Sequence, residues 1–250
     1  MHPIAASAKH TMNRLAYALW PGRSLVSGLP AQGALSAEDF AALNFITGAS
    51  CDMCSQPLAL DLGAQAQCGA CSAHPRPWHQ ARAGLAYDDV SRIPILALKR
   101  AGRRDGLKVM ANWMVTAGSD ILDLSDLIMP IPLHYRRLVS RGYNQSGWLA
   151  SAIGKQVGKP VNHTALIRAR ATPSQAGLSP RARARNVSGA FKVRPSKAGK
   201  VKDKQIILVD DVFTTGATLS AATKALKKAG AAQVRVLVLA RVVRPRDITI

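Results

Sequence analysis

Apolar positions in this chain fall into unbroken runs and helically spaced sets. Residues 206–209, Ile-Ile-Leu-Val, carry no polar break. A strand with one wet face would alternate, so this run predicts a strand covered on both faces, as in a parallel sheet. Residues 234–240 form a second, mostly apolar run, broken only by Arg235. Between the two runs Leu219, Ala222, Leu226 and Ala229 recur on one helical face, and Gly230 is placed to stop the helix. A third buried strand is predicted at 127–132, with strand-like runs at 82–87 and 161–167. Helical spacing marks 107–117, and 146–157 with Asn144 as its cap. It also marks 90–99, where Pro94 fits only a first turn. Residues 8–20 read as one amphipathic helix, followed by a loose stretch at 21–36. Strands alternating with helices predict an α/β fold with a parallel sheet core flanked by helices.

The end of the 206–209 run carries the candidate chemistry. Asp210 and Asp211 stand where that strand is expected to stop, and Thr214, Thr215, Gly216, Ala217 and Thr218 follow. Ligands of open α/β sheets bind at the carboxyl ends of strands. A loop of small residues opening a helix offers backbone N–H groups and a positive dipole end to a phosphate. The adjacent carboxylates can accept hydrogen bonds from sugar hydroxyls, so the unit reads as a pocket for a phosphorylated ribose.

Two basic segments extend that reading. Beyond 127–132 lie His134, Arg136, Arg137 and Arg141, expected as a loop ahead of the next helix. This is a second anion-receiving strand end. Residues 168–187 hold five arginines among small and turn-forming residues. A long polar segment between core strands suggests a lid over the phosphate site.

Charge changes the picture of partners. Lys plus Arg number 34 against 14 Asp plus Glu, a formal net charge of +20. Such a surplus attracts polyanions, nucleic acid among them, and is equally compatible with a merely solvated basic surface. No stretch approaches the roughly 20 apolar residues of a membrane span. Residues 8–20 lack a clean apolar core with a small-residue cleavage site, so the protein is expected to be cytoplasmic. A G-x-x-x-x-G-K-[ST] loop is absent, which argues against a motor ATPase.

The four cysteines form two C-x2-C knuckles, Cys51/Cys54 and Cys68/Cys71, separated by 13 residues. Two knuckles complete a tetrahedral zinc site with a structural role. Disulfides are disfavoured in a cytoplasmic chain, and an iron–sulfur cluster also takes four thiolates. The expected organisation is a helical extension at 1–48, a four-cysteine zinc-ribbon module at 49–80 and an α/β domain at 81–250.

These motifs resemble a known family. Residues 209–218, VDDVFTTGAT, are similar to the ribose-phosphate loop of type I phosphoribosyltransferases. The order of the paired cysteines, Tyr87, Leu98-Lys99, Gly102, PIPLH at 130–134, RGYNQS at 141–146, Gln175, Leu178-Ser179 and RNV at 185–187 looks like the ComF family, named for competence. The resemblance implies a type I phosphoribosyltransferase-like fold that binds phosphoribosyl pyrophosphate with Mg²⁺. It implies that Asp210 and Asp211 hold the ribose hydroxyls as the catalytic acids, and that Thr214 to Thr218 hold the 5′-phosphate. His134, Arg137 and Arg141 would face the pyrophosphate, and Gln175 and Arg185 would belong to the closing loop. Two functions follow as expectations. One is transfer of a phosphoribosyl group to an unknown acceptor. The other is a non-catalytic accessory role in competence, binding single-stranded DNA beside competence or helicase proteins and using the pocket as a sensor.

Overall fold

The computed structural model describes residues 22–243 apart from 62, 64, 102–103 and 173–178. The expected helix at 8–20, Gly102, Gln175 and Leu178 lie outside the described residues. In chain order the elements are β1 (Gly22–Arg23), β2 (Pro30–Ala31), α1 (Ala37–Ala41), α2 (Gly69–Ala73) and β3 (Ala81–Ala86). Next come α3 (Arg92–Leu96), running into a π-turn (Ala97–Ala101), α4 (Leu107–Ala117), α5 (Ser119–Asp123) and β4 (Leu127–Pro130). Then follow α6 (Tyr135–Arg141), α7 (Gln145–Val157), β5 (Leu166–Arg168), α8 (Pro180–Val187) and β6 (Phe191–Val193). The last are β7 (Gln205–Phe213), α9 (Ala217–Lys228) and β8 (Gln233–Arg241).

The central sheet is four-stranded in the order β3-β8-β7-β4, and every pairing in it is parallel. Both faces are covered, which is why β7 needs an unbroken apolar run. Ile206 and Leu208 pack on the face that holds Leu219, Ala222 and Leu226 of α9. Ile207 and Val209 pack on the opposite face with Met110 and Met114 of α4 and Leu149 and Ile153 of α7. The four cysteines share the first of these two cores with the sheet.

The connections out of β4 and β7 therefore leave toward opposite faces of the sheet: α7 lies on one, α9 on the other. Adjacent parallel strands that diverge in this way open a crevice at their carboxyl ends. The register sharpens the point. β4 stops at Pro130, opposite Val209, whereas β7 continues on its other side in register with β8 to Phe213 and Arg241. Asp210 and Asp211 thus lie inside β7 rather than past its end. They have lost a partner only on the β4 side, and that side is the crevice.

Four local expectations differ from the structure. The strand-like run at 161–167 is a strand only from Leu166 to Arg168, paired with β6 outside the central sheet. The arginine segment after β4 is a helix, α6, started by His134, whose Nδ1 accepts from the Arg136 N–H at 3.3 Å. Tyr135, Leu138 and Val139 of α6 are all exposed, so no apolar stripe announces it. The second half of the expected lid is α8, capped by Ser179 Oγ, which accepts from the Ala182 N–H. Asn144 occupies the N-cap position of α7, but its side chain donates to the Ile131 carbonyl at 3.0 Å instead of capping. Among the described residues no helix is long and apolar enough to cross a membrane.

Candidate functional site

The crevice at the end of β4 and β7 is a pocket of about 320 Å³. Asp210, Asp211, Thr214 and Thr218 line one wall, and Lys99, Gln145, Ser146, Arg137, Arg168 and Arg183 the others. Two adjacent carboxylates repel, and each is held by its own set of donors. The Lys99 ammonium lies 3.0 Å from both Asp211 oxygens. Gln145 Nε2 donates to Asp211 Oδ2 at 2.9 Å, and Gln145 Oε1 accepts from Arg141 Nη1 at 2.8 Å. Ser146 Oγ donates to Asp210 Oδ1 at 2.8 Å, and the Asp211 N–H reaches the same oxygen at 3.0 Å.

This unequal support separates the pair electrostatically. Removal from water, and then the charge of Asp211, push the Asp210 carboxyl up to about 7, against the Ser146 hydrogen bond and the Lys99 ammonium. Asp211 has the direct cation and Asp210 does not. Arg168 closes the pocket from β5. It is buried, and its Nε has no hydrogen-bond partner, while Nη2 donates to Thr172 Oγ1. Burial, and then the charge of Arg137, pull its guanidinium below the usual range, while Asp210 acts the other way. An under-satisfied buried cation facing an open pocket is a receiver for an anion.

Beyond the acids, Gly216 takes a left-handed φ of +78° and starts α9. A Cβ there would meet the Phe213 ring at 2.8 Å and Trp78 at 3.0 Å, so only glycine fits the turn. The first turn of α9 leaves backbone donors without intrahelical partners at the mouth of the crevice.

The structure brings some predicted residues together and separates others. Asp210, Asp211, Thr214, Thr218 and Arg137 line the acid pocket. Thr215 and Ala217 face a larger groove of about 920 Å³ between α8, β6 and α9. His134 lines a small side cavity that shares Arg137 and Arg168 with the pocket. Arg141 stands behind Gln145 and orients it. Arg185 is exposed on α8, and Arg183 is the residue of that helix that lines the pocket. Lys99, Gln145, Ser146 and Arg168 were not singled out as site residues from the sequence. The Leu98-Lys99 and Asn-Gln-Ser motifs are the signals that could have found the first three.

The four cysteines converge in the same way. Their sulfurs all lie within 4.8 Å of one another, buried, and none is in a disulfide. Cys51/Cys54 sit on a tight turn and Cys68/Cys71 at the start of α2, and Cys54 and Cys68 approach to 3.7 Å. A tetrahedron with metal–sulfur bonds of about 2.3 Å has sulfur–sulfur edges of about 3.8 Å. The donor set therefore fits a four-coordinate metal ion.

The phosphoribosyl transferase domain model matches residues 124–247, which contain β4, β7, α9 and β8. The DNA utilization protein YhgH of Salmonella typhimurium is 31% identical over 76% of this chain and 83% of its own length. Competence protein F of Haemophilus influenzae is 37% identical over 48% of this chain and 52% of its own. Competence protein ComFC of Bacillus subtilis is 26% identical over 76% of each chain. A crevice with paired acids beside a phosphoribosyl-transferase-type loop, a four-cysteine cluster and relatives matched over most of their length lead to one assignment: the chain belongs to the ComF family of phosphoribosyltransferase-like proteins.

Proposed function

We propose that the crevice binds phosphoribosyl pyrophosphate with Mg²⁺ and transfers its phosphoribosyl group to an acceptor nucleophile. The observation that carries this reading is the placement of Asp210 and Asp211 on the open side of β7, next to the loop that starts α9. Asp210 and Asp211 accept hydrogen bonds from the ribose hydroxyls. The loop Thr214, Thr215, Gly216, Ala217 and Thr218 receives the 5′-phosphate on backbone N–H groups and hydroxyls. Arg137 and Arg168 face the pyrophosphate. Carboxylates beside a diphosphate suit a hard cation with oxygen ligands, and bound Mg²⁺ neutralises charge on the leaving group.

In the transfer, the C1′–O bond to pyrophosphate breaks and a bond from C1′ to the acceptor forms; the acceptor's proton is released. Positive charge grows on the ring while negative charge grows on the leaving group. The buried Arg168 guanidinium, with an unpartnered Nε, is preorganised for the second, and the nearby carboxylates favour the first. A closed site keeps water from the ribosyl centre. In the four-cysteine site the bound ion is zinc and its role is structural, since four ligands leave no open position. Reduced thiols of this kind suit a cytoplasmic location.

A second reading is favoured by a specific observation. The groove of about 920 Å³ is lined by Arg76, Arg181, Lys192, Lys224 and Lys228 and by no carboxylate. Such a surface suits a phosphate backbone. Relatives named for DNA utilization and competence point the same way. In this reading single-stranded DNA is a partner, alongside competence or helicase proteins, and the acid pocket is a sensor. The two readings can hold in one chain.

Labelled phosphoribosyl pyrophosphate, offered with a panel of bases, amines and nucleotides, tests transfer. Pyrophosphate is released with at least one acceptor, and Arg168→Met slows the step by about 10²–10³-fold. Release with none, while the ligand binds, overturns the enzymatic reading.

The Asp210 shift gives a pH prediction. Its folded pKa of about 7 lies above the ordinary 3.8, so the folded state holds the proton more tightly. Ionised Asp210 therefore destabilises the fold. The cost grows as pH rises through that window and is complete above it. Thermal scans of Asp210→Asn should show a higher Tm than the parent at pH 8, at about 2–4 °C per kcal/mol recovered, with the gap shrinking toward pH 5. A variant no more stable than the parent at pH 8 contradicts this.

For the DNA reading, the affinity for single-stranded oligonucleotide should fall steeply between roughly 50 and 200 mM salt. The double variant Lys224→Gln/Lys228→Gln should reduce the logarithmic salt slope by about 1.4, at about 0.7 per lost phosphate contact. A flat salt response, or no binding at low salt, excludes it.

A further inference from the structure

Two arginines tie the cysteine cluster to the loop after β7. Arg241, the last residue of β8, is buried. Its Nε donates to the Cys54 carbonyl at 2.9 Å, and its Nη1 donates to the Thr214 carbonyl, also at 2.9 Å. Nη2 lies 3.9 Å from Cys54 Sγ. The same guanidinium sits 4.5 Å over the Phe213 ring. Arg76, from the segment after α2, repeats the arrangement one residue along. It lies close enough to the Cys71 side chain to favour its charged form, and its Nη1 donates to the Thr215 carbonyl at 3.2 Å. A third strut is Trp78, whose Nε1 donates to the Met53 carbonyl at 2.6 Å. The Trp78 ring meets Phe213 edge-on at 5.6 Å and bounds the space beside Gly216.

Charge explains why arginines occupy these places. Neither guanidinium has a carboxylate partner among the described residues. A buried cation is costly unless it is compensated. Four thiolates around a divalent ion carry a net charge of −2, and Arg241 beside Cys54 with Arg76 beside Cys71 supply the balancing +2. Without the ion the two cysteine knuckles lose the bond that fixes them to each other, and the Cys54 turn that Arg241 grips is no longer held in place.

We propose that Arg241 and Arg76 are positioning residues that make the shape of the loop at 214–218 depend on metal occupancy of the four cysteines. This rests on the reading of that loop as the phosphate receiver and of the cluster as a metal site. Metal binding fixes the Cys54 turn and the start of α2, and the two arginines set against them hold the Thr214 and Thr215 carbonyls turned toward them. The loop is then set before any ligand arrives. Linkage makes the effect reciprocal: an anion on the loop must tighten the metal by the same factor that the metal tightens the anion.

The test uses the full chain loaded with zinc. Metal affinity is measured by equilibrium competition with a chelator, with and without saturating ribose 5-phosphate, whose own binding is followed by calorimetry. Ribose 5-phosphate should tighten the metal at least about fivefold. Hydrogen exchange, read without any ligand, should be faster at the 214–218 amides after the metal is stripped. Arg76→Met and Arg241→Lys should keep zinc, show that faster loop exchange while loaded, and bring the coupling factor to about one. Arg241→Lys is the sharper of the two, because lysine keeps the charge but cannot span both carbonyls. Loop exchange that is unchanged by the two substitutions, or metal affinity that is unchanged by bound ribose 5-phosphate, overturns the proposal. If ribose 5-phosphate does not bind at all, the phosphate reading of the loop fails, and loop exchange still decides the coupling. If stripping unfolds the chain, the loaded variants decide it alone.

Discussion

The structure depends on two like charges held side by side at a place where a sheet opens. β4 ends opposite Val209, and one residue later β7 carries Asp210 and Asp211 along the gap. Ionised neighbours inside a protein repel strongly, so this arrangement survives only with compensation. The compensation comes from three directions. Lys99 arrives from the π-turn after α3, Gln145 and Ser146 from the start of α7, and Arg168 from β5. A π-turn often marks a functional position, and here it delivers the ammonium to Asp211. The Tyr143 hydroxyl donates to the Lys99 carbonyl at 3.1 Å, which ties that turn to the segment before α7. The acids, the basic residues and the first turn of α9 therefore form one electrostatic unit.

Much of this was legible from residue order, because burial writes itself into periodicity. The doubly covered β7 reads as an unbroken apolar run, and α9 reads as a stripe containing Leu219, Ala222 and Leu226, all buried. The cysteine spacing is likewise a local signal for a convergent site, and the sulfurs do converge. What stayed hidden was set by tertiary placement. Lys99 reaches Asp211 across 112 residues, and nothing local to either residue announces the pairing. α6 lacks buried residues, so its helix leaves no stripe to read. The arginines of α8 show the limit most clearly. Successive odd positions on a helix fall about 200° apart, so a run of alternating arginines cannot all face one pocket. Arg183 lines the acid pocket and Arg181 the groove, and only the packed helix decides which is which.

The cysteine cluster and the crevice lie at separate places in the sequence, residues 51–71 and 210–218. In this protein they share a core, and the side chains between them are charged or aromatic rather than filler. Arg241 closes β8 and touches both the Cys54 turn and the Thr214 carbonyl. The acid pocket lies at the carboxyl end of β7, and the groove of cations runs from Thr215 along α9 to Lys228.

The most direct test of the central claim is calorimetry of the full chain with phosphoribosyl pyrophosphate and Mg²⁺, repeated with Asp211→Asn. Saturable binding is expected for the parent. The variant should lose about tenfold or more in affinity, since the carboxylate that pairs with Lys99 in the crevice wall is gone. Absence of binding by the parent, or equal affinity in the variant, would contradict the assignment of this crevice as a phosphoribosyl pocket.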